Sequence, residues 1–86
     1  MRKLLFFHAS WCGPCRRYEK EVIAPLERIA GAERVERVDA WEQPQMAEKY
    51  GVKKLPSVFL MDGEIFVKRL EGPVNLEEVA GWLKGA

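Results

Sequence analysis

Two cysteines spaced two residues apart constrain this chain more than any other feature. They are Cys12 and Cys15, in the run Trp11-Cys12-Gly13-Pro14-Cys15, and the 86 residues contain no others. An apolar run, Leu4-Leu5-Phe6-Phe7, leads into them, and a long helical pattern follows. A C-x-x-C set between a strand and a helix in a small α/β chain points to a dithiol/disulfide redox site. Two cysteines are too few for a disulfide-stapled mini-protein. A structural zinc site usually takes four ligands, and beyond the two thiols the chain offers a single histidine, His8. The expectation is no bound cofactor and a reversible Cys12–Cys15 disulfide as the working group.

Residues 1–86 are enough for one domain with one core. The 14 Lys and Arg against 13 Asp and Glu leave a formal charge of +1, so nothing suggests a nucleic-acid partner, which usually needs a clustered basic excess. The longest apolar run falls far short of the roughly 20 residues of a membrane span. Met1-Arg2-Lys3 and the apolar residues after it faintly outline a signal peptide. That run is too short and leads straight into the cysteine motif without a cleavage region. The expectation is a mature, cytoplasmic monomer that binds neither membrane nor nucleic acid.

Taken in order, Lys3 to His8 is apolar on both alternating faces, as in a central strand covered on each side. A helix starts at or just after Cys12, with Pro14 in its first turn, where a missing N–H costs nothing. Tyr18, Val22, Leu26 and Ile29 recur at helical spacing and mark its buried stripe. Pro25 should kink it near Val22–Ala24, and Gly31 should end it. Arg34 to Asp39 reads as a second strand, made parallel to the first by a right-handed crossover. Pro44 starts a short helix, Gln45 to Tyr50, stopped by Gly51. Pro56 to Met61 and Glu64 to Leu70 form a hairpin about Asp62-Gly63. Asn75 caps a last helix, with Glu78 three positions on and Leu76, Val79, Ala80 and Leu83 facing inward. The order is βαβαββα, with a four-stranded mixed sheet flanked by helices.

With these residues in view, the chain resembles the thioredoxin family. The resemblance rests on Trp11-Cys12-Gly13-Pro14-Cys15 after the apolar strand, on Tyr50-Gly51-Val52 leading to Leu55-Pro56, and on Phe59 to Glu64 and Glu71-Gly72. It implies a thioredoxin fold, here in a minimal form like that of glutaredoxins, without the usual N-terminal strand and helix. One sheet face then has less helical cover, to be closed by Trp41, by other side chains or by a partner. The Cys15–Pro25 segment is about one turn longer than in common thioredoxins. Phe6 stands where the family usually carries a buried aspartate, the proposed proton acceptor for the second cysteine, and Val35 stands where a lysine often accompanies it.

The resemblance also implies a protein disulfide reductase, an electron carrier. Cys12, at a helix N-terminus that favours the thiolate, attacks a substrate disulfide, and Cys15 resolves the mixed disulfide. Gly13 and Pro14 set the geometry. Pro56 is expected to follow a cis bond from Leu55, beside which a substrate segment could pair as an added strand. Trp11 is expected as a partly exposed lid, and Trp82 as a packing aromatic. His8 shares a face with Leu4 and Phe6 and is either a strand-end histidine or a group that tunes a thiol or relays a proton. Lys53, Lys54, Arg16 and Arg17 place positive charge near the motif, which favours acidic partners if it is not merely a solvated run. The partners implied are substrate protein disulfides and a thioredoxin reductase or similar donor. The competing functions are a glutaredoxin-like, glutathione-dependent thiol transferase and a binding module with an incidental dithiol.

Overall fold

Four strands form one sheet in the order β2-β1-β3-β4. They are β1 (Arg2–His8), β2 (Val35–Asp39), β3 (Ser57–Asp62) and β4 (Ile65–Arg69). The structure, a computed structural model, describes residues 1–85; Ala86, the end of the expected domain, lies outside them. β1 runs parallel to β2 and antiparallel to β3, and β3 pairs antiparallel with β4. The apolar run thus becomes a central strand, with Leu4, Leu5, Phe6 and Phe7 all buried. Parallel pairing of β1 and β2 follows from the helix between them, since parallel strands need a crossover. The hairpin turns at Gly63, whose φ of 62° suits glycine.

The alternation of β1 builds two cores. Leu4 and Phe6 join Val58 and Leu60 against the helices α1 (Gly13–Tyr18), α2 (Ala24–Ala30) and α4 (Leu76–Lys84), with Cys12 and Cys15 in the same cluster. Leu5 and Phe7 join Val38, Phe59 and Met61 on the other face, under α3 (Pro44–Lys49) and the half-buried Tyr50. α4 starts as expected: the Asn75 side chain accepts from the Glu78 N–H at 3.0 Å. Leu76 is half-buried, and Val79, Ala80 and Leu83 are fully inside.

Two expectations fail here. The stripe Tyr18, Val22, Leu26, Ile29 holds only over its first three members: Leu26 is buried and Tyr18 and Val22 pack half-buried against the core, but Ile29 is 44% exposed and Ile23 is fully buried. Between α1 and α2 the chain makes a π-helical turn, Glu19–Ile23. A π turn holds one residue more than an α turn and rotates everything after it. The inward positions become Cys15, Tyr18, Ile23, Leu26 and Ala30, with a five-residue step across the wide turn. Pro25 follows directly. A proline ring clashes with the carbonyl four residues back in a regular helix, and the wide turn is one way of relieving that.

The second failure is Trp41. It does not close a sheet face; it is 77% exposed. The Asp39 carboxylate accepts from the backbone N–H groups of Trp41 and Glu42 at 2.9 and 3.1 Å. This Asx turn holds the loop at the sheet rim and leaves the indole in solvent. Trp82 packs as expected, half-buried under the Arg2 guanidinium, 4.7 Å from its ring centroid.

Candidate functional site

The motif is positioned by the end of β1. After His8 the chain turns, with the Cys12 N–H donating to the Ala9 carbonyl at 3.1 Å. Arg16 reaches back from α1 to donate to the Ser10 carbonyl at 2.8 Å, which ties the turn to the helix. Cys12 is the N-cap of α1, and Pro14 lies in its first turn. Cys12 and Cys15 are joined as a disulfide, with Cα atoms 5.2 Å apart. The Cys15 N–H donates to the Cys12 sulfur at 3.1 Å. An N-cap side chain ordinarily accepts such a bond with oxygen; here a sulfur accepts it.

Both sulfur residues are well shielded in this oxidised form, Cys12 at 5% exposure and Cys15 at 2%. Their surroundings differ. Cys12 opens into a groove of about 440 Å³ together with Trp11, Gly13 and Pro14 on one side and Lys53, Lys54 and Leu55 on the other. Cys15 is absent from that groove and is buried behind it. Trp11 is 66% exposed, a flap at the groove edge rather than part of the core.

The opposite wall is set by the loop before β3. The Leu55–Pro56 bond is cis, as expected. The Ser57 hydroxyl donates to the Lys54 carbonyl at 2.7 Å and holds the loop closed. Of the eight residues expected at the site, Trp11, Cys12, Gly13, Pro14 and Leu55 line one groove, Pro56 follows Leu55 across the cis bond, and Cys15 lies buried next to Cys12. The eighth, His8, is elsewhere. Its ring stacks on Phe6, with centroids 5.2 Å apart, on the face away from α3.

Sequence reasoning missed Ala40, Ala47 and Val52, which complete the groove. They come from the β2–α3 loop, from α3 and from the connector after it, and only tertiary packing brings them to the cysteines. It also missed Arg37. The β1–β2 register places Arg37 beside Phe6, and its guanidinium binds Glu19 at 2.9 Å and Glu27 at 2.7 Å. Hydrogen bonding to Glu27 raises the Arg37 pKa above its ordinary value; burial opposes it, and the contacts with Glu19 add to the rise.

The lysines lie where the sequence suggested. Lys53 and Lys54 are exposed at the groove, and no acidic residue is among its walls. Among the described residues no cluster of three or more metal-ligating side chains is found, and no helix is long and apolar enough to cross a membrane.

A four-stranded mixed sheet carrying a Cys-x-x-Cys disulfide at a helix start, opposite a cis-proline, defines a dithiol–disulfide protein. The chain belongs to the thioredoxin family, whose model matches residues 2–85. It is 30% identical over 81 residues to a thioredoxin of Synechocystis, covering 94% of this chain and 76% of that one. It is 35% identical over 79 residues to protein disulfide isomerase-like 1-3 of Arabidopsis thaliana, covering 91% of this chain but only 14% of that protein. Several of the curated relatives it matches are thus much longer than the chain. Its fold superposes on a mutant thioredoxin from Halobacterium salinarum with a TM-score of 0.72 and 26% identity, covering 98% of this chain and 73% of the other.

Proposed function

We propose that the chain is a thiol–disulfide oxidoreductase that carries electrons to the disulfides of other proteins. One observation carries this reading. Cys12 of the Cys12–Cys15 disulfide caps a helix and lines an apolar groove whose far side carries Leu55, the residue before the cis bond to Pro56. In the reduced form the Cys12 thiolate attacks one sulfur of a substrate disulfide, and the other sulfur leaves as a thiolate and takes up a proton. Cys15 then loses its proton and attacks the Cys12 sulfur. The second substrate sulfur leaves, and both electrons of the dithiol now reside on the substrate. A thioredoxin reductase or similar donor returns two electrons and two protons. Trp11 and Leu55 flank the substrate segment while it is attached. The role suits a reducing compartment such as the cytoplasm, with each monomer holding a whole site.

Insulin reduction tests the reading. With dithiothreitol as donor, the protein should accelerate insulin precipitation, and Cys12→Ser should return the rate to background. With glutathione and its reductase, the protein should add nothing. Acceleration that requires glutathione would make it a thiol transferase of the glutaredoxin kind. No acceleration with either donor would leave a binding module. A measured potential well above the cytosolic glutathione poise would reverse the direction of electron flow.

A further inference from the structure

The resolving step asks something of Cys15 that the groove does not supply. The thiol must lose a proton before it attacks, yet Cys15 is buried and absent from the groove walls. A second cavity, of about 180 Å³, does reach it and shares no lining residue with the groove. This volume has room for bridging water. The cavity therefore offers a separate route for the proton.

The candidate acceptors around it can be sorted by chemistry. Its walls carry His8 from the end of β1, Arg16 from α1, Glu19 from the π turn and Arg37 from β2. The two guanidinium groups hold their protons and cannot accept one. The Glu19 carboxylate is already engaged in the ion pair with Arg37 at 2.9 Å. Asp39 pairs with His8 in the strand register, but it spends a carboxylate oxygen on the Trp41 and Glu42 amides. Tyr18 stacks on Phe6 at 5.9 Å and is not part of this cavity. That leaves the imidazole, whose ring nitrogen can accept a proton and which has no ion-pair partner among the cavity's walls. Stacking on the buried Phe6 holds it in place.

We propose that His8 accepts the Cys15 proton across this cavity, an assignment that rests on the reductase reading of the same dithiol. In the resolving step the Cys15 S–H bond breaks and its proton passes to the imidazole. The sulfur electron pair forms the Cys12–Cys15 bond. The bond between Cys12 and the substrate sulfur breaks, and that sulfur departs with its electron pair and is protonated from the groove. His8 then returns its proton to solvent.

Stopped-flow reaction of the reduced protein with dithiobis-nitrobenzoate separates the two steps. The first thionitrobenzoate appears as Cys12 attacks, at a rate that scales with reagent concentration. The second appears when Cys15 resolves the mixed disulfide, at a rate independent of it. His8→Ala and His8→Gln should slow the second phase by roughly 10- to 100-fold at neutral pH, as loss of a positioned general base does. They should leave the first phase within about twofold. The gap should narrow as pH rises into the alkaline range, where hydroxide can take the Cys15 proton without the imidazole. Glu19→Gln should leave both phases as they are. An unchanged second phase in both His8 variants would overturn the proposal. So would equal slowing of both phases, or a slow second phase in Glu19→Gln alone. If the wild-type protein released no thionitrobenzoate in the second phase, the reductase reading itself would fall.

Discussion

The backbone N–H of Cys15 donates to the sulfur of Cys12 at 3.1 Å. The same sulfur therefore serves as helix cap and as redox atom. Once the disulfide is reduced, a donor in that position favours the thiolate over the thiol, and the helix start adds to the effect. We expect Cys12 to alkylate with a midpoint below that of an ordinary thiol. Cys15, shielded from the groove, should alkylate far more slowly. Peptide mapping by mass spectrometry after iodoacetamide pulses across a pH series checks both. A Cys12 midpoint at or above the ordinary value would show that the cap does not activate it.

The π turn makes a prediction about stability that a regular helix would reverse. With Ile23 fully buried, Ile23→Ala should cost about 2–5 kcal/mol, the usual range for emptying an aliphatic core position. Ile29→Ala, at a position largely open to water, should stay within about 0.5 kcal/mol. Urea unfolding of the two variants measures the difference. Equal losses, or a larger one at Ile29, would place the inward face on the regular stripe.

The contrast between those two isoleucines also marks where the sequence stops being readable. The apolar β1 run, the turn at Asp62-Gly63 and the Asn75 cap were legible because each depends on chemistry within a few residues. The Cys12–Cys15 pair was legible for the same reason, and the cis bond through family likeness. The π turn was not, because a single extra residue in a helix leaves no mark in composition and shifts the stripe without erasing it. Nor was the exposure of Trp41, since an aromatic in a loop can face either way until the Asp39 carboxylate fixes the backbone. The cavity beside Cys15 was out of reach altogether: Arg37, beside Phe6 in the β1–β2 register, meets Glu19 of the π turn only through tertiary packing, and no local pattern encodes that meeting.

Charge at the groove should set which substrates the protein prefers. Lys53 and Lys54 are exposed there, with no acidic residue among the lining groups. Clefts of one sign raise the encounter rate of oppositely charged partners, and salt screens the effect. A disulfide peptide flanked by Asp or Glu should be reduced several-fold faster than its Lys-flanked counterpart at low ionic strength, on the order of the modest steering expected from two exposed charges. Lys53→Gln with Lys54→Gln should remove most of that preference, as should about 1 M salt. Comparing kcat/KM for the two peptides across a salt series tests this. A preference that survives both treatments would have to come from shape.

Tyr18 ties the core to alkaline pH. Its hydroxyl is buried with no hydrogen-bond partner among the described residues, and its ring stacks on Phe6. Burial pushes the phenol from 10.0 up to about 12. The folded state therefore holds this proton where the unfolded chain has already released it. Its contribution to stability is whole below about pH 10 and is lost as pH rises toward about 12. Tyr18→Phe removes both the unpartnered hydroxyl and the titration. At neutral pH it should raise stability by about 1 kcal/mol, the low end of the penalty for a buried unsatisfied group. The advantage should widen between pH 9 and 11, because only the wild type then loses ground. Urea unfolding of both proteins over that range measures the gap. A constant difference would mean that the phenol titrates alike in the folded and unfolded states, and burial at Tyr18 would not be what it is described to be.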